Sequence, residues 1–265
     1  MTQAARSRLG FIGTGTITEA IVTGILAGGQ DGQDIVLSPR SAARAARLAD
    51  LSPRVRVAGD NQAVADAAGI LFLAIRPDVA EAVVRGLRFR PGQLVISLVS
   101  TVDHDTLRAW IGGEVDIVRA VPLPFVANRS GVTTVFPPNG MVEALFSQLG
   151  TAVPCSTIDE FDLLAAASAL MGSFFGIMDH VVGWLKEGGL PQDGARAYLA
   201  QHFYSLSLVA LRNPSVPLAD LRREYSTSGG LNEQMFAVFG RNGGLDALTL
   251  ALDGVLERLR ALRRI

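Results

Sequence analysis

Gly13 and Gly15 sit directly after the apolar run Leu9-Gly10-Phe11-Ile12 and form a turn open enough to take a phosphate against bare backbone. A pyrophosphate at such a turn is held by N–H groups at a helix start, where unpaired donors and the macrodipole favour negative charge and a Cβ would hold it off. The span that would do this is Gly13, Thr14, Gly15, Thr16 and Ile17. The third glycine of the G-x-G-x-x-G pattern is replaced by Thr18, which predicts slightly looser packing of helix on strand. After the next apolar run comes Ser38-Pro39-Arg40-Ser41, and the acidic residue that would bind a ribose 2′-hydroxyl is missing. A hydroxyl plus a guanidinium suits a 2′-phosphate, so the expected cofactor is NADP(H) in preference to NAD(H). The same serines suit helix capping with Arg40 in solvent, and the two roles can coexist.

These residues need a scaffold that brings strand ends together, and the first half of the chain is patterned for one. Apolar runs at Ile35–Leu37, Val55–Val57, Ile70–Ala74, Leu94–Ser97 and Val115–Val118 read as strands, with helical stretches between them. Thr133–Phe136 adds an edge strand. Such alternation implies right-handed crossovers and a parallel sheet covered on both faces, with ligands outside the carboxyl ends of the strands. Ala74-Ile75-Arg76-Pro77, Leu98-Val99-Ser100 and Val121-Pro122-Leu123-Pro124 fall at those ends and are expected to line the rest of the cofactor, mostly through backbone groups.

The pattern changes near Cys155. Glu160–Lys186 reads as one long helix, and four more helices follow it: Gln192–Leu211, Pro217–Tyr225, Leu231–Phe239 and Leu245–Leu262. The expected fold is α/β, with an N-terminal doubly wound Rossmann domain over residues 1–155 and an all-α substrate and dimerisation domain over 156–265. Leu163–Met178 carries no charge. It is short for a membrane span and reads as a buried helix, more apolar than one small domain needs, so a homodimer or higher homo-oligomer is expected.

The 265 residues carry a formal charge of −1, which gives no electrostatic case for nucleic acid. One cysteine excludes an internal disulfide framework, and three scattered histidines offer no metal-binding spacing. With no cleavage site after the first apolar run, no export signal or membrane association is expected, and the cytoplasm is the expected location. His180 and His202 read as satisfied helix histidines, and His104 as a loop or cap residue.

Several pieces together resemble the pyrroline-5-carboxylate reductase family. They are Gly10–Gly15, Asp60-Asn61-Gln62-Ala63-Val64, Leu71–Pro77, Val95-Ile96-Ser97, Arg119-Ala120-Val121-Pro122, Gly188-Gly189-Leu190-Pro191 and Ser226-Thr227-Ser228-Gly229-Gly230. They occur in the family's order over nearly the whole chain. The resemblance implies reduction of a cyclic imine to proline with a nicotinamide cofactor. It implies that Ser38 and Asn61 hold the adenosine end, and that Ala74, Arg76, Pro77, Val99 and Ser100 lie on the nicotinamide side. It also implies that Thr227, Ser228, Gly229 and Gly230, followed by Asn232, grip a substrate carboxylate. Asp179 stands where the family often carries a carboxylate, and beside an iminium nitrogen it would orient the ring and favour the protonated imine; as plain chemistry it equally suits a solvated helix charge.

The substrate side departs from the family. Ser228 replaces a usual proline, Leu231 and Asn232 replace threonines, Val121-Pro122-Leu123 replaces Met-Pro-Asn, and Ser168-Ala169-Leu170-Met171-Gly172 replaces a Gly-Ser-Gly-Pro-Ala turn. The implied substrate is therefore a carboxylated cyclic imine, either pyrroline-5-carboxylate or a close analogue. Two other readings stand beside it. A β-hydroxyacid dehydrogenase would lean on a helix lysine, for which Lys186 is the only candidate. A non-catalytic NADP-binding regulator would have kept the cofactor turn and lost the substrate turn.

Overall fold

The computed structural model describes residues 8–29 and 33–262. By contacts the chain forms two compact units: one runs through Ala165 and includes the chain from Leu256 onward, and the other is Ala166–Val255. The first helix after the sheet thus groups with the sheet, later in the chain than the change of pattern at Cys155 suggests.

The first unit is built on one sheet. Its strands are β1 (Leu9–Ile12), β2 (Ile35–Leu37), β3 (Val55–Val57), β4 (Ile70–Leu73), β5 (Leu94–Ser97), β6 (Asp116–Pro122), β7 (Gly131–Phe136) and β8 (Gly150–Pro154). They lie in the order β3-β2-β1-β4-β5-β6-β7-β8. The order reverses at β1, which pairs with β2 on one side and β4 on the other, and this is the switch point where doubly wound sheets bind ligands. Between the strands lie α1 (Thr16–Ala27), α2 (Ala42–Leu51), α3 (Asn61–Ala67), α4 (Pro77–Arg85), α5 (His104–Ile111) and α6 (Gly140–Ser147).

Side chains of successive strand residues point to opposite faces, so each apolar run feeds two cores. Leu9, Phe11, Ile70, Phe72 and Ile96 pack on one face, and Ile12, Leu71, Leu73 and Val95 on the other. Phe11 and Phe72 stack at 4.4 Å across β1 and β4. Carboxylates start the crossover helices: Asp60 Oδ1 accepts Ala63 N–H at 2.7 Å on α3, and Asp103 Oδ1 accepts Thr106 N–H at 2.7 Å on α5.

Three sheet expectations change. β7 is not an edge strand: it runs antiparallel to β6 and is covered by the parallel β8, which neither length nor patterning announced. The helix α6 between them was also not expected. The sixth strand runs on to Pro122, so Val121 and Pro122 lie in the ladder rather than in a loop beyond it.

The later helices are α7 (Ile158–Ala167), α8 (Leu170–Glu187), α9 (Gln192–Arg212), α10 (Leu218–Glu224), α11 (Leu231–Arg241) and α12 (Gly244–Leu262). The expected single helix over 160–186 is divided at Ser168-Ala169, where the backbone tightens to three-residue bonds such as Ala169 N–H to Ala166 O at 3.0 Å. The break falls where Ser168–Gly172 replaces the family's glycine- and proline-rich turn. Nor is Leu163–Met178 a buried helix within this chain. No residue of α8 is buried, with Phe175 61% and Trp184 68% exposed. By length and composition alone, Ile158–Glu187 reaches a membrane-span-like mean hydropathy of 1.6, with 22% of that window buried. Within the second unit, Phe174 of α8 meets Phe203 of α9 edge-on at 5.4 Å, and Arg222 of α10 lies 4.4 Å over the Phe236 ring of α11.

Candidate functional site

Gly13 adopts φ +97°, and a Cβ there would stand 2.2 Å from the Ala74 carbonyl oxygen at the end of β4. Only glycine allows the turn to pass that close. Gly15 caps α1, with open space where its Cβ would point. The first helical bond runs from Glu19 N–H to Gly15 O at 3.0 Å. The N–H groups of Thr16, Ile17 and Thr18 therefore have no carbonyl within the helix, as first-turn donors do not. Thr18, in place of the third glycine, is fully buried and donates its hydroxyl to Gly13 O at 2.7 Å. It braces the turn from below.

Ser38 is placed differently from its expected role. It is 0% exposed; its Oγ accepts Gly13 N–H at 2.9 Å and its carbonyl accepts the Thr14 hydroxyl at 2.8 Å. A hydroxyl already taken by the turn and shut off from solvent is not presented to a ribose phosphate, and it does not cap α2 either. Ser41 holds the cap position without a side-chain bond. Arg40 is exposed and has no ion pair among the described residues, which leaves its guanidinium available. Sequence reasoning passed over Arg44, three residues into α2. It lies 2.8 Å from Glu19 and 3.4 Å from the Thr14 carbonyl. A cation in a helix's first turn runs against the macrodipole, and that was the available signal.

Asn61 opens α3 directly after its Asp60 cap. Ala74 N–H donates to Ile12 O at 2.8 Å, which fixes the β4 end beside the glycine turn. Arg76 caps α4 and pairs with Asp78 at 3.0 Å in solvent, and Pro77 is the first helical residue. Val99 is buried, and its N–H donates to Ser97 Oγ at 3.3 Å. The Ser100 carbonyl accepts from Arg119 Nη2 at 2.7 Å. Arg119, quoted above only as part of a motif, is 1% exposed and lies 4.7 Å over the Phe161 ring. It is a positioning residue for the loop after β5.

His104 is the first residue of α5, with Arg108 Nη2 3.2 Å from its Nε2. Burial, then the Arg108 charge, hold its imidazole below the usual range. It faces a pocket of about 340 Å³ also lined by Phe136, Pro137 and Ile158, which none of the expected site residues touch. Burial and Glu160 push the Cys155 thiol up, so it is no ready nucleophile.

In the second unit, Thr227–Gly230 forms a tight turn into α11. Gly229 has φ +68° and donates its N–H to Glu233 Oε2 at 2.6 Å, and Gly230 N–H donates to Thr227 O at 2.8 Å. Asn232 Nδ2 donates to Tyr225 O at 2.6 Å, which ties that amide back to the end of α10. Asp179 is exposed on α8 without an ion pair among the described residues, and no hydrogen bond joins it to the turn. Lys186 Nζ donates to Gln192 Oε1 at 2.9 Å, a surface link at the end of α8.

The fold and the braced glycine turn define a Rossmann domain followed by a helical C-terminal region. A family model described as NADP oxidoreductase coenzyme F420-dependent matches residues 8–101. The chain is 27% identical over 265 residues to the pyrroline-5-carboxylate reductase of Pseudomonas aeruginosa, covering 95% of each. A solved pyrroline-5-carboxylate reductase from Coxiella burnetii superposes with a TM-score of 0.87 at 25% identity, over 97% of this chain and 99% of that one. That of Plasmodium falciparum, solved with NADP bound, shares the fold with a TM-score of 0.82 at 17% identity, over 97% and 98%. The chain is thus similar to pyrroline-5-carboxylate reductases in sequence and in fold over nearly its whole length.

Proposed function

We propose that this enzyme reduces a carboxylated cyclic imine with NADPH, converting pyrroline-5-carboxylate to proline or acting on a close analogue. The observation that carries the reading is the Gly13 turn, whose shape excludes any Cβ and whose following helix offers N–H groups with no partner in the helix. A dinucleotide phosphate fits that cradle in size and charge. Gly13, Thr14, Gly15, Thr16 and Ile17 would hold the pyrophosphate, Arg40 a 2′-phosphate, Asn61 the adenosine end, and Ala74, Arg76, Pro77, Val99 and Ser100 the nicotinamide side. Ser38 serves by holding the turn. When bound, a reduced nicotinamide supplies the hydride.

The remaining work is orientation and charge. Thr227, Ser228, Gly229, Gly230 and Asn232 would anchor the substrate carboxylate, and Asp179 would favour the protonated imine. The helical region would serve substrate binding and self-association: α8, α11 and α12 bury none of their side chains within the chain, and a second copy is the occupant we assign to that apolar surface. A cytoplasmic setting suits its one unpaired cysteine. The surface role of Lys186 speaks against β-hydroxyacid dehydrogenase chemistry.

The decisive assay follows NADPH oxidation at the nicotinamide absorbance on adding pyrroline-5-carboxylate and a panel of other cyclic imines. Turnover of at least one is expected. Tight NADPH binding without turnover on any would leave the regulator reading in its place. Cofactor choice has its own check: Arg40→Ala is expected to lower the kcat/KM ratio of NADPH over NADH by about 10- to 100-fold, the loss of one charge-assisted phosphate contact. An unchanged ratio would remove Arg40 from the cofactor site.

A further inference from the structure

We infer that Glu233 competes with the substrate's carboxylate for the 227–230 turn, and so sets how strongly this enzyme favours carboxylated imines over imines without a carboxylate. The inference rests on the reading of that turn as the carboxylate site. At the head of α11, Gly229 N–H is taken by Glu233 Oε2 at 2.6 Å, and Gly230 N–H by Thr227 O at 2.8 Å. Thr227 Oγ1 lies 2.2 Å from where a Gly230 Cβ would be, so the turn is closely wound on itself. The Asn232 amide is held by Tyr225 O at 2.6 Å. The chain's own carboxylate thus sits where the helix dipole and the Gly229 donor would receive an incoming one.

An arriving carboxylate meets this like charge and must displace it. Glu233 has no other partner among the described residues and is exposed, so its side chain can swing into water. The competition is therefore a graded handicap rather than a block. An imine without a carboxylate makes no claim on Gly229 N–H and suffers none of it. Glu233 acts on substrate choice through charge at the turn, not on the reacting carbon.

The test compares wild type with Glu233→Gln, which keeps an acceptor for Gly229 N–H and removes the charge. Steady-state kinetics on 1-pyrroline-5-carboxylate and on 1-pyrroline are run beside calorimetric binding of cyclopentanecarboxylate, a ring carboxylate with no imine. In Glu233→Gln the KM for 1-pyrroline-5-carboxylate should fall about tenfold while that for 1-pyrroline stays within about twofold, and cyclopentanecarboxylate should bind about tenfold tighter. Glu233→Ala should show the same split. If both KM values move together, or neither moves, the inference is overturned. If wild type reduces neither of these nor any other imine of the panel above, the reading of function fails by itself. Calorimetry then still decides this inference: tighter binding in the variant upholds it and equal binding overturns it.

Discussion

Gly13→Ala is expected to weaken NADPH binding by about 100-fold, the equivalent of one or two charge-assisted hydrogen bonds. The added Cβ would stand 2.2 Å from the Ala74 carbonyl and 3.0 Å from the Ile75 side chain, at a φ of +97° that L residues rarely adopt. Neither obstacle yields easily. Ala74 is bonded to Ile12 in the neighbouring strand, and Gly13 is bonded to Ser38. The turn must therefore rotate, carrying the N–H groups of the first turn of α1 out of line. Folding should lose about 3 kcal/mol from the strain and the displaced contacts. Fluorescence titration with NADPH, with thermal melting alongside, reads both quantities. Wild-type affinity in this variant would mean that the phosphates are held elsewhere.

The second large effect is expected at Arg119. Arg119→Met keeps much of the volume over Phe161 but removes the donor to the Ser100 carbonyl. Loss of this charge-assisted hydrogen bond, together with loss of the cation over the ring, should cost about 2–4 kcal/mol. For a chain of this size that corresponds to a Tm lower by roughly 5–15 °C. Arg119→Lys should not rescue, because an ammonium cannot stack flat on Phe161 and reach Ser100 together. Scanning calorimetry checks the first statement. Cofactor affinity checks whether the loop after β5 has loosened with it. A melting temperature within 2 °C of wild type would show that the guanidinium holds nothing in place.

How far the sequence was legible depended on how local the cause was. The turn at Gly13 and Gly15 could be read because strand, glycines and helix are contiguous, and the alternating runs through β6 could be read because their periodicity is regular. The role of Ser38 could not, since the group it serves is the Gly13 N–H, 25 residues away. β8 was hidden because Gly150–Pro154 begins with a glycine, ends with a proline and holds Val153 as its one large apolar residue. The division between α7 and α8 left no mark because Ser168 and Ala169 break no helix by propensity. The exposure of α8 was misjudged for another reason: an apolar stretch shows that something must cover it, not that the same chain does. Among the site residues, Arg44 and Glu233 escaped notice because a charge on a helix is ordinarily read as solvated until its partner is seen.

The clasp between the first two strand ends has one more implication. Because Ser38 holds the Gly13 N–H with its hydroxyl and the Thr14 hydroxyl with its carbonyl, the bend after β1 and the exit of β2 form a single rigid piece. Arg40 leaves from that piece two residues later. If the Gly13 turn cradles a diphosphate bridge as proposed, the distance from it to the backbone of Arg40 is set by the chain itself, like the gap of a fixed caliper. A dinucleotide bound there would meet a preset backbone, and little chain entropy would have to be surrendered when it docks.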